Sequence, residues 1–151
     1  MKHPRQTISA SRFRRTREAH RDETAQDYAE AILSLVQTGG EARVRDLAAM
    51  MGVSHVTVTR IIARLRRDGI ASREPYGPVA LTPKGRRLAM ACRDRHRVVL
   101  AFLLGIGVPP RQAEIDAEGI EHHVSQATIA ALRRAYRDQS HPASNAATKS
   151  S

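Results

Sequence analysis

A short helix, a glycine turn and a longer helix are predicted in residues 42–70, and this order limits the fold of the chain more than any other feature. Leu47 and Met51 belong to the short helix, and Gly52 suits the turn. Ser54 is a favourable N-cap for the longer helix. Together these signals predict a helix-turn-helix.

The longer helix places its apolar residues on one side, which leaves polar and basic side chains on the other. These outward residues are Ser54, His55, Thr57, Arg60 and Arg64. Small polar groups at the start of such a helix can reach base edges, and arginines further along can reach phosphates. Charge favours DNA binding over a solvated helical hairpin, because residues 43–87 include ten basic and three acidic side chains.

Residues 70–82 are too short and too interrupted to form a helix. A Pro-Tyr-Gly-Pro turn at residues 75–78 separates two short segments that suit strands. A hairpin directly after the recognition helix is the wing of a winged helix-turn-helix. Arg73 and Tyr76 are candidates for contacts with the sugar-phosphate backbone.

Helical patterns account for most of the remaining chain. The first begins at Asp22, and the Thr82-Pro83 pair is a strong start signal for a long helix. Two more are predicted, one from Pro109 or Pro110 to His123 and one from Gln126 to about residue 137. The fold class is therefore mainly α.

The predicted domain boundaries follow from these elements. A winged helix-turn-helix occupies residues 22–88, and an all-helical domain occupies residues 89–138. Residues 1–21 are predicted to be a disordered basic arm, because the first 20 contain six basic side chains, one acidic side chain and little apolar periodicity. Residues 139–151 are predicted to be a disordered tail.

The segment from Asp116 to Val124 holds the densest group of side chains that can bind a metal. Each helical residue turns about 100°, so Glu118, Glu121 and His122 share roughly one third of the circumference. Two carboxylates and one imidazole on one face provide half of a coordination shell. An acidic, solvated helix face is the simpler alternative, but the adjacent histidine favours a metal site.

Three residues elsewhere are candidates for the rest of the shell. Asp27 and Glu30 stand three residues apart on one face of the first predicted helix, and His96 lies among polar neighbours in the long one. Taken singly, they are ordinary exposed acids and a structural histidine. With the acidic segment, they strengthen the metal-site hypothesis.

The order of these elements resembles the diphtheria-toxin-repressor family of metal-responsive repressors, and most closely its manganese branch. The resemblance extends over residues 22–136. Its most specific segments are Asp27–Glu30 (DYAE), Leu81–Gly85 (LTPKG), His96 and Glu118–His123 (EGIEHH). It implies a winged-helix DNA-binding domain followed by a helical dimerisation domain, hence a homodimer on a palindromic site in double-stranded DNA.

The resemblance also implies a metal site. Carried over residue by residue, the ligands are Asp27, Glu30, His96, Glu118, Glu121 and His122, with one or two Mn(II) ions per subunit. Oxygen ligands suit manganese, whereas thiolate and thioether donors favour softer metals. Iron-responsive relatives place Met and Cys where this chain has Asp27 and Glu121.

Other classes of protein are less consistent with the sequence. No apolar run is long enough to cross a bilayer, no secretory signal is present, and a single cysteine excludes an internal disulfide, so a cytoplasmic protein is expected. A di-metal carboxylate enzyme would need Glu-x-x-His pairs from two helices, and only one related motif occurs. A regulator that responds to iron or another divalent metal, or to no metal, remains the alternative.

Overall fold

The structure, a computed structural model, describes residues 4–140. The helices are α1 (Pro4–Gln37), α2 (Val44–Met51), α3 (His55–Arg67), α4 (Pro83–Gly105), α5 (Pro110–Glu121) and α6 (Gln126–Ser140). The strands are β1 (Ala71–Arg73) and β2 (Val79–Leu81). The chain divides into two compact units, the first ending at Met90 and the second beginning at Ala91.

The predicted helix-turn-helix is confirmed as α2 and α3. Gly52 ends α2 with a φ of 65°, a left-handed conformation that glycine adopts without steric cost. The side chain of Ser54 then accepts a hydrogen bond from the backbone N–H of Thr57 at 3.1 Å. This N-cap satisfies one of the free donors at the start of α3.

The predicted wing is confirmed as an antiparallel hairpin. Ala71 pairs with Leu81 and Arg73 pairs with Val79. The backbone N–H of Val79 also donates to the carbonyl oxygen of Ala42, 2.8 Å away, which ties the wing to the segment that precedes α2.

The core of the first unit joins α1, α2, α3 and the wing. Its largest fully buried side chains are Ile32, Leu33, Leu47, Val58, Ile62, Leu65 and Val79. The buried members of α3 recur at helical spacing, as the predicted inward stripe requires.

The start of α4 is held against the end of α3 by Thr82. Its hydroxyl donates to the carbonyl oxygen of Gly69 at 2.6 Å and accepts from the backbone N–H of Gly85 at 3.1 Å. Gly85 lies so close to this segment that an added Cβ would stand 2.0 Å from the carbonyl oxygen of Ile70. The Thr-Pro-Lys-Gly segment therefore combines a helix cap with a close approach of two backbones.

The second unit has a small apolar core. Val98, Val99, Ala117 and Ile129 are buried, and Leu100, Leu103, Val124 and Leu132 pack against them. Ser125 caps α6 by accepting a hydrogen bond from the backbone N–H of Thr128 at 3.2 Å. No helix in residues 4–140 is both long enough and apolar enough for a membrane span.

The structure differs from the sequence-based expectation at both ends of the chain. Helix α1 begins at Pro4, so residues 4–21, which were expected to form a disordered basic arm, are part of a helix in the structure. The physical reason is that no glycine or proline occurs from Arg5 to Thr38, and nothing stops the helix from continuing. At the other end α6 continues to Ser140, while residues 1–3 and 141–151 lie outside the described part.

Candidate metal centre and DNA-binding surface

Glu121 is the centre of the acidic segment. It is the last residue of α5 and is only 3% exposed. Its Oε2 lies 2.7 Å from Nδ1 of His96, and its Oε1 lies 3.6 Å from Nε2 of His122. A buried carboxylate is costly unless it is paired or binds a metal, so these two imidazoles stabilise a group that would otherwise be disfavoured.

The end of α5 is held by Arg95, a residue that the sequence analysis did not identify. Its Nε donates to the carbonyl oxygen of Glu121 at 3.0 Å, and its Nη2 donates to the carbonyl oxygens of Glu121 and, at 2.6 Å, Val124. The last carbonyl groups of a helix have no partner within it. Arg95 thus fixes the backbone on which Glu121 and His122 stand. Its position directly before His96 was the only sequence signal.

His96 lies in an electrostatic field set by three carboxylates. Burial disfavours the charged imidazole, but the charge and hydrogen bond of Glu121, the hydrogen bond of Glu114 and the charge of Glu118 together raise the pKa of His96. Glu114, which sequence analysis also missed, brings its Oε2 within 3.3 Å of Nε2 of the ring. In the sequence, Glu114 could have been found from its position two helical turns before Glu121, which places both residues on the same side of α5.

The predicted arc of ligands on α5 is consistent with the observed backbone. Glu118 and Glu121 are within the helix, and His122, its C-cap, retains right-handed helical dihedral angles. The side chain of His122 is 6% exposed, whereas His123 is exposed. Asp116 accepts a hydrogen bond from Gln112 at 2.7 Å. The two neighbouring histidines therefore differ in environment.

The remaining two candidate ligands belong to the first unit. Asp27 and Glu30 are half-buried on α1 and flank the buried Tyr28 and Ala29. Burial raises the pKa of Tyr28, whose hydroxyl has no hydrogen-bond partner. Within residues 4–140, no three His, Cys, Asp or Glu side chains are already arranged to hold a metal ion.

On α3, the residues predicted to face DNA divide into two groups. His55 and Arg60 are exposed, and Ser54 and Thr57 are joined by the N-cap and by a 2.9 Å contact between their hydroxyls. Arg64 is different. It is half-buried, its Nη2 donates to the carbonyl oxygen of Arg21 at 3.4 Å, and its Nε is buried without a partner. Its position on α3 turns it towards α1.

The two wing candidates also differ. Arg73 braces the turn, because its Nε donates to the carbonyl oxygen of Gly77 at 2.9 Å. Tyr76 is 96% exposed at the tip and has a φ of 58°, which is unusual for a residue other than glycine. Of the two, Tyr76 is the side chain that the wing presents to solvent.

Two family models match the chain. A model described as "Iron dependent repressor, N-terminal DNA binding domain" matches residues 22–79. A second, "Iron dependent repressor, metal binding and dimerisation domain", matches residues 82–144. Together they include every candidate residue on α1, α3, the wing, α4 and α5.

Curated relatives agree with these models. The transcriptional regulator MntR of Escherichia coli O6:H1 is 48% identical over 121 residues, which are 80% of this chain and 78% of the relative. MntR of Salmonella typhimurium strain LT2 is 50% identical over 120 residues, 80% of this chain and 76% of the relative.

A solved structure with a related fold is described as a manganese-dependent transcriptional repressor in complex with manganese. It is 32% identical to this chain, with a TM-score of 0.67 over 75% of the residues. The match spans about half, 52%, of that longer chain.

Proposed function

The chain belongs to the iron-dependent repressor family of metal-dependent DNA-binding regulators, and we propose that it represses manganese uptake genes when Mn(II) is bound. The observation that supports this most directly is the buried carboxylate of Glu121 between the imidazoles of His96 and His122. Members of this family regulate transcription and are not enzymes, so the alternative of a di-metal oxidase does not apply.

The proposed ligands are Asp27, Glu30, His96, Glu118, Glu121 and His122, binding one or two ions per subunit. Four carboxylates and two imidazoles form a set without sulfur, which fits manganese better than softer metals. When bound, the ion would supply positive charge beside the buried carboxylate of Glu121. The buried position of Glu121 and the shielded ring of His122 fit such a role.

The regulatory step follows from which units provide the ligands. Asp27 and Glu30 belong to the DNA-binding unit, and the other four belong to the unit that the family uses for metal binding and dimerisation. Ligands shared by two units couple metal binding to DNA binding by linkage. A coupling of about 1–3 kcal/mol, or roughly 5- to 150-fold in affinity, is the usual scale.

For DNA, we propose that the dimer binds a palindromic operator in the cytoplasm through α3 and the wing. His55 and Thr57 would contact base edges, and Arg60 and Tyr76 would contact the backbone. Ser54 and Arg73 would support these contacts while they cap α3 and brace the wing. Arg64, which donates to α1, would contribute less than the exposed Arg60.

The test is a comparison of two adjacent histidines. A binding sequence is first selected from random duplexes with Mn(II) present, and its affinity is then measured with and without Mn(II). His122→Ala should lose most of the metal response, because its ring lies beside Glu121. His123→Ala should retain most of it, because its side chain is exposed. A wild type that ignores Mn(II), or equal losses in the two variants, would reject the proposal.

Metal preference is tested in the same assay. Replacing Asp27 with Met and Glu121 with Cys introduces the softer donors of the iron-responsive relatives. The response should then shift from Mn(II) towards Fe(II). A wild type that responds to Fe(II) and not to Mn(II) would favour the iron alternative.

A further inference from the structure

One face of α1 can be followed at intervals of three and four residues along the whole helix. In its second half this face contains Ala25, Tyr28 and Ile32, all buried in the core of the first unit. The same spacing leads back to Arg21, Arg17 and Arg14. The face therefore changes from apolar to cationic where the helix leaves the core.

Contacts with α3 locate the start of this cationic stretch. Nη2 of Arg21 lies 3.3 Å from both carboxylate oxygens of Asp68, the C-cap of α3. Arg64 of α3 donates to the carbonyl oxygen of Arg21. Arg14 and Arg17 thus project from the side of α1 on which the recognition helix lies, and both are exposed.

The extension before this contact is long and contains no helix breaker. Residues 4–20 of α1 rise about 26 Å at roughly 1.5 Å per residue. Arg14 and Arg17 are exposed positive charges on this face of the helix. A polyanion that also contacts α3 would bring phosphates opposite them.

We propose that the N-terminal part of α1 forms a second DNA-contact surface, in which Arg14 and Arg17 bind phosphates beyond the segment contacted by α3. This rests on the proposed DNA-binding function and adds to it a contact that is independent of base sequence. Phosphate contacts made by arginine release counterions, so each adds about 0.9 to the slope of log affinity against log salt.

The experiment measures that slope with the full-length chain and a labelled duplex of arbitrary sequence. Affinity is determined by anisotropy between about 50 and 200 mM NaCl, with and without Mn(II). Arg17→Gln is compared with Arg15→Gln. Both side chains are exposed and both changes remove one positive charge, but Arg15 lies about 160° away around the helix. Arg17→Lys tests whether charge alone restores the contact.

Arg17→Gln should reduce the slope by about 0.9, so its salt-induced loss of affinity should be about 3-fold smaller than that of the wild type. The double variant Arg14→Gln/Arg17→Gln should show roughly a 10-fold smaller loss. Arg15→Gln and Arg17→Lys should leave the slope unchanged. Circular dichroism should show that glutamine preserves α1.

Two outcomes would overturn the proposal. Equal slopes for Arg15→Gln and Arg17→Gln would mean that only net charge matters. Dissociation of a dimer by the double variant, seen by sedimentation, would instead assign this face to a second copy of the chain. This assay uses DNA of arbitrary sequence, so its result does not depend on the operator. If operator binding failed to respond to Mn(II), that would reject the regulatory function but not this contact surface.

Discussion

The two units of this chain are stabilised in different ways. In the described residues, the first unit has a cluster of sixteen buried residues drawn from four helices, the wing and adjoining loops, whereas the corresponding cluster of the second unit has four. The second unit contains the buried charged side chain Glu121. Polar contacts, including those of Arg95, should therefore contribute a larger share of its stability than they do in the first unit.

This difference suits the two units to different roles, DNA binding in the first and metal binding in the second. A DNA-binding unit with an apolar core keeps α3 and the wing in shape whether or not a ligand is present, because burial is independent of metal. A unit with a small apolar core and a buried carboxylate gains more stability when a cation binds to that carboxylate. The larger gain in stability on metal binding is thus expected in the second unit.

The largest effect is expected from the core of the first unit. Leu47→Ala should cost about 2–5 kcal/mol, the usual range for a fully buried leucine. Hydrogen exchange should show lost protection in α2 and α3, with α5 little changed. Equal loss of protection in α5 would contradict the independent stabilisation of the two units, since they would then unfold together.

The polar counterpart in the second unit is Arg95. Arg95→Ala removes the donors to the carbonyl oxygens of Glu121 and Val124 and should cost about 1.5–3 kcal/mol. The exposed Arg97 serves as the control. Exchange should accelerate in α5 and α6 for Arg95→Ala only. If Arg97→Ala accelerated exchange to the same extent, the cause would be the lower net charge and not the loss of the Arg95 hydrogen bonds.

Two helical glycines sharpen the comparison. Gly85→Ala should destabilise the first unit by about 1–3 kcal/mol, because the new Cβ meets the carbonyl oxygen of Ile70. Gly119→Ala in α5 has nothing within 4 Å and should stabilise the second unit by about 0.5–1 kcal/mol. Denaturant unfolding measures both. A stabilising Gly85→Ala would contradict the close approach.

The smallest effects are expected at two equivalent caps. Ser54→Ala and Ser125→Ala each remove an acceptor for a backbone N–H and should each cost about 1 kcal/mol. Thermal unfolding of the two variants gives the comparison. Only Ser54→Ala should also weaken DNA binding, since α3 is the proposed recognition helix; equal DNA affinities would remove that role from the start of α3.

Much of the fold was predictable because its signals are local. The glycine turn, the Ser54 cap and the Thr82-Pro83 start depend on backbone conformation within a few residues. The wing followed from a proline-glycine turn between two short segments. Helical angle alone grouped Glu118, Glu121 and His122. The site residues themselves remain predictions that the proposed experiments test.

The N-terminal half of α1 was not predicted as a helix because apolar periodicity was the signal used. That periodicity ends at Ala25, but a helix does not need an apolar stripe to continue, only the absence of a residue that stops it. The cationic face that replaces the stripe was visible in the sequence. Its relation to α3 was not, because the pairing of Arg21 with Asp68 joins residues far apart in the chain.

The sequence by itself determined the order of elements and most of the helix ends after α1, since these depend on neighbouring residues. The tertiary structure decided which side chains are buried and what they contact. It turned Arg64 towards α1, placed Arg95 at the end of α5 and enclosed Glu121 between two histidines. The physical reason is that burial and charge pairing depend on distances between segments that only folding brings together.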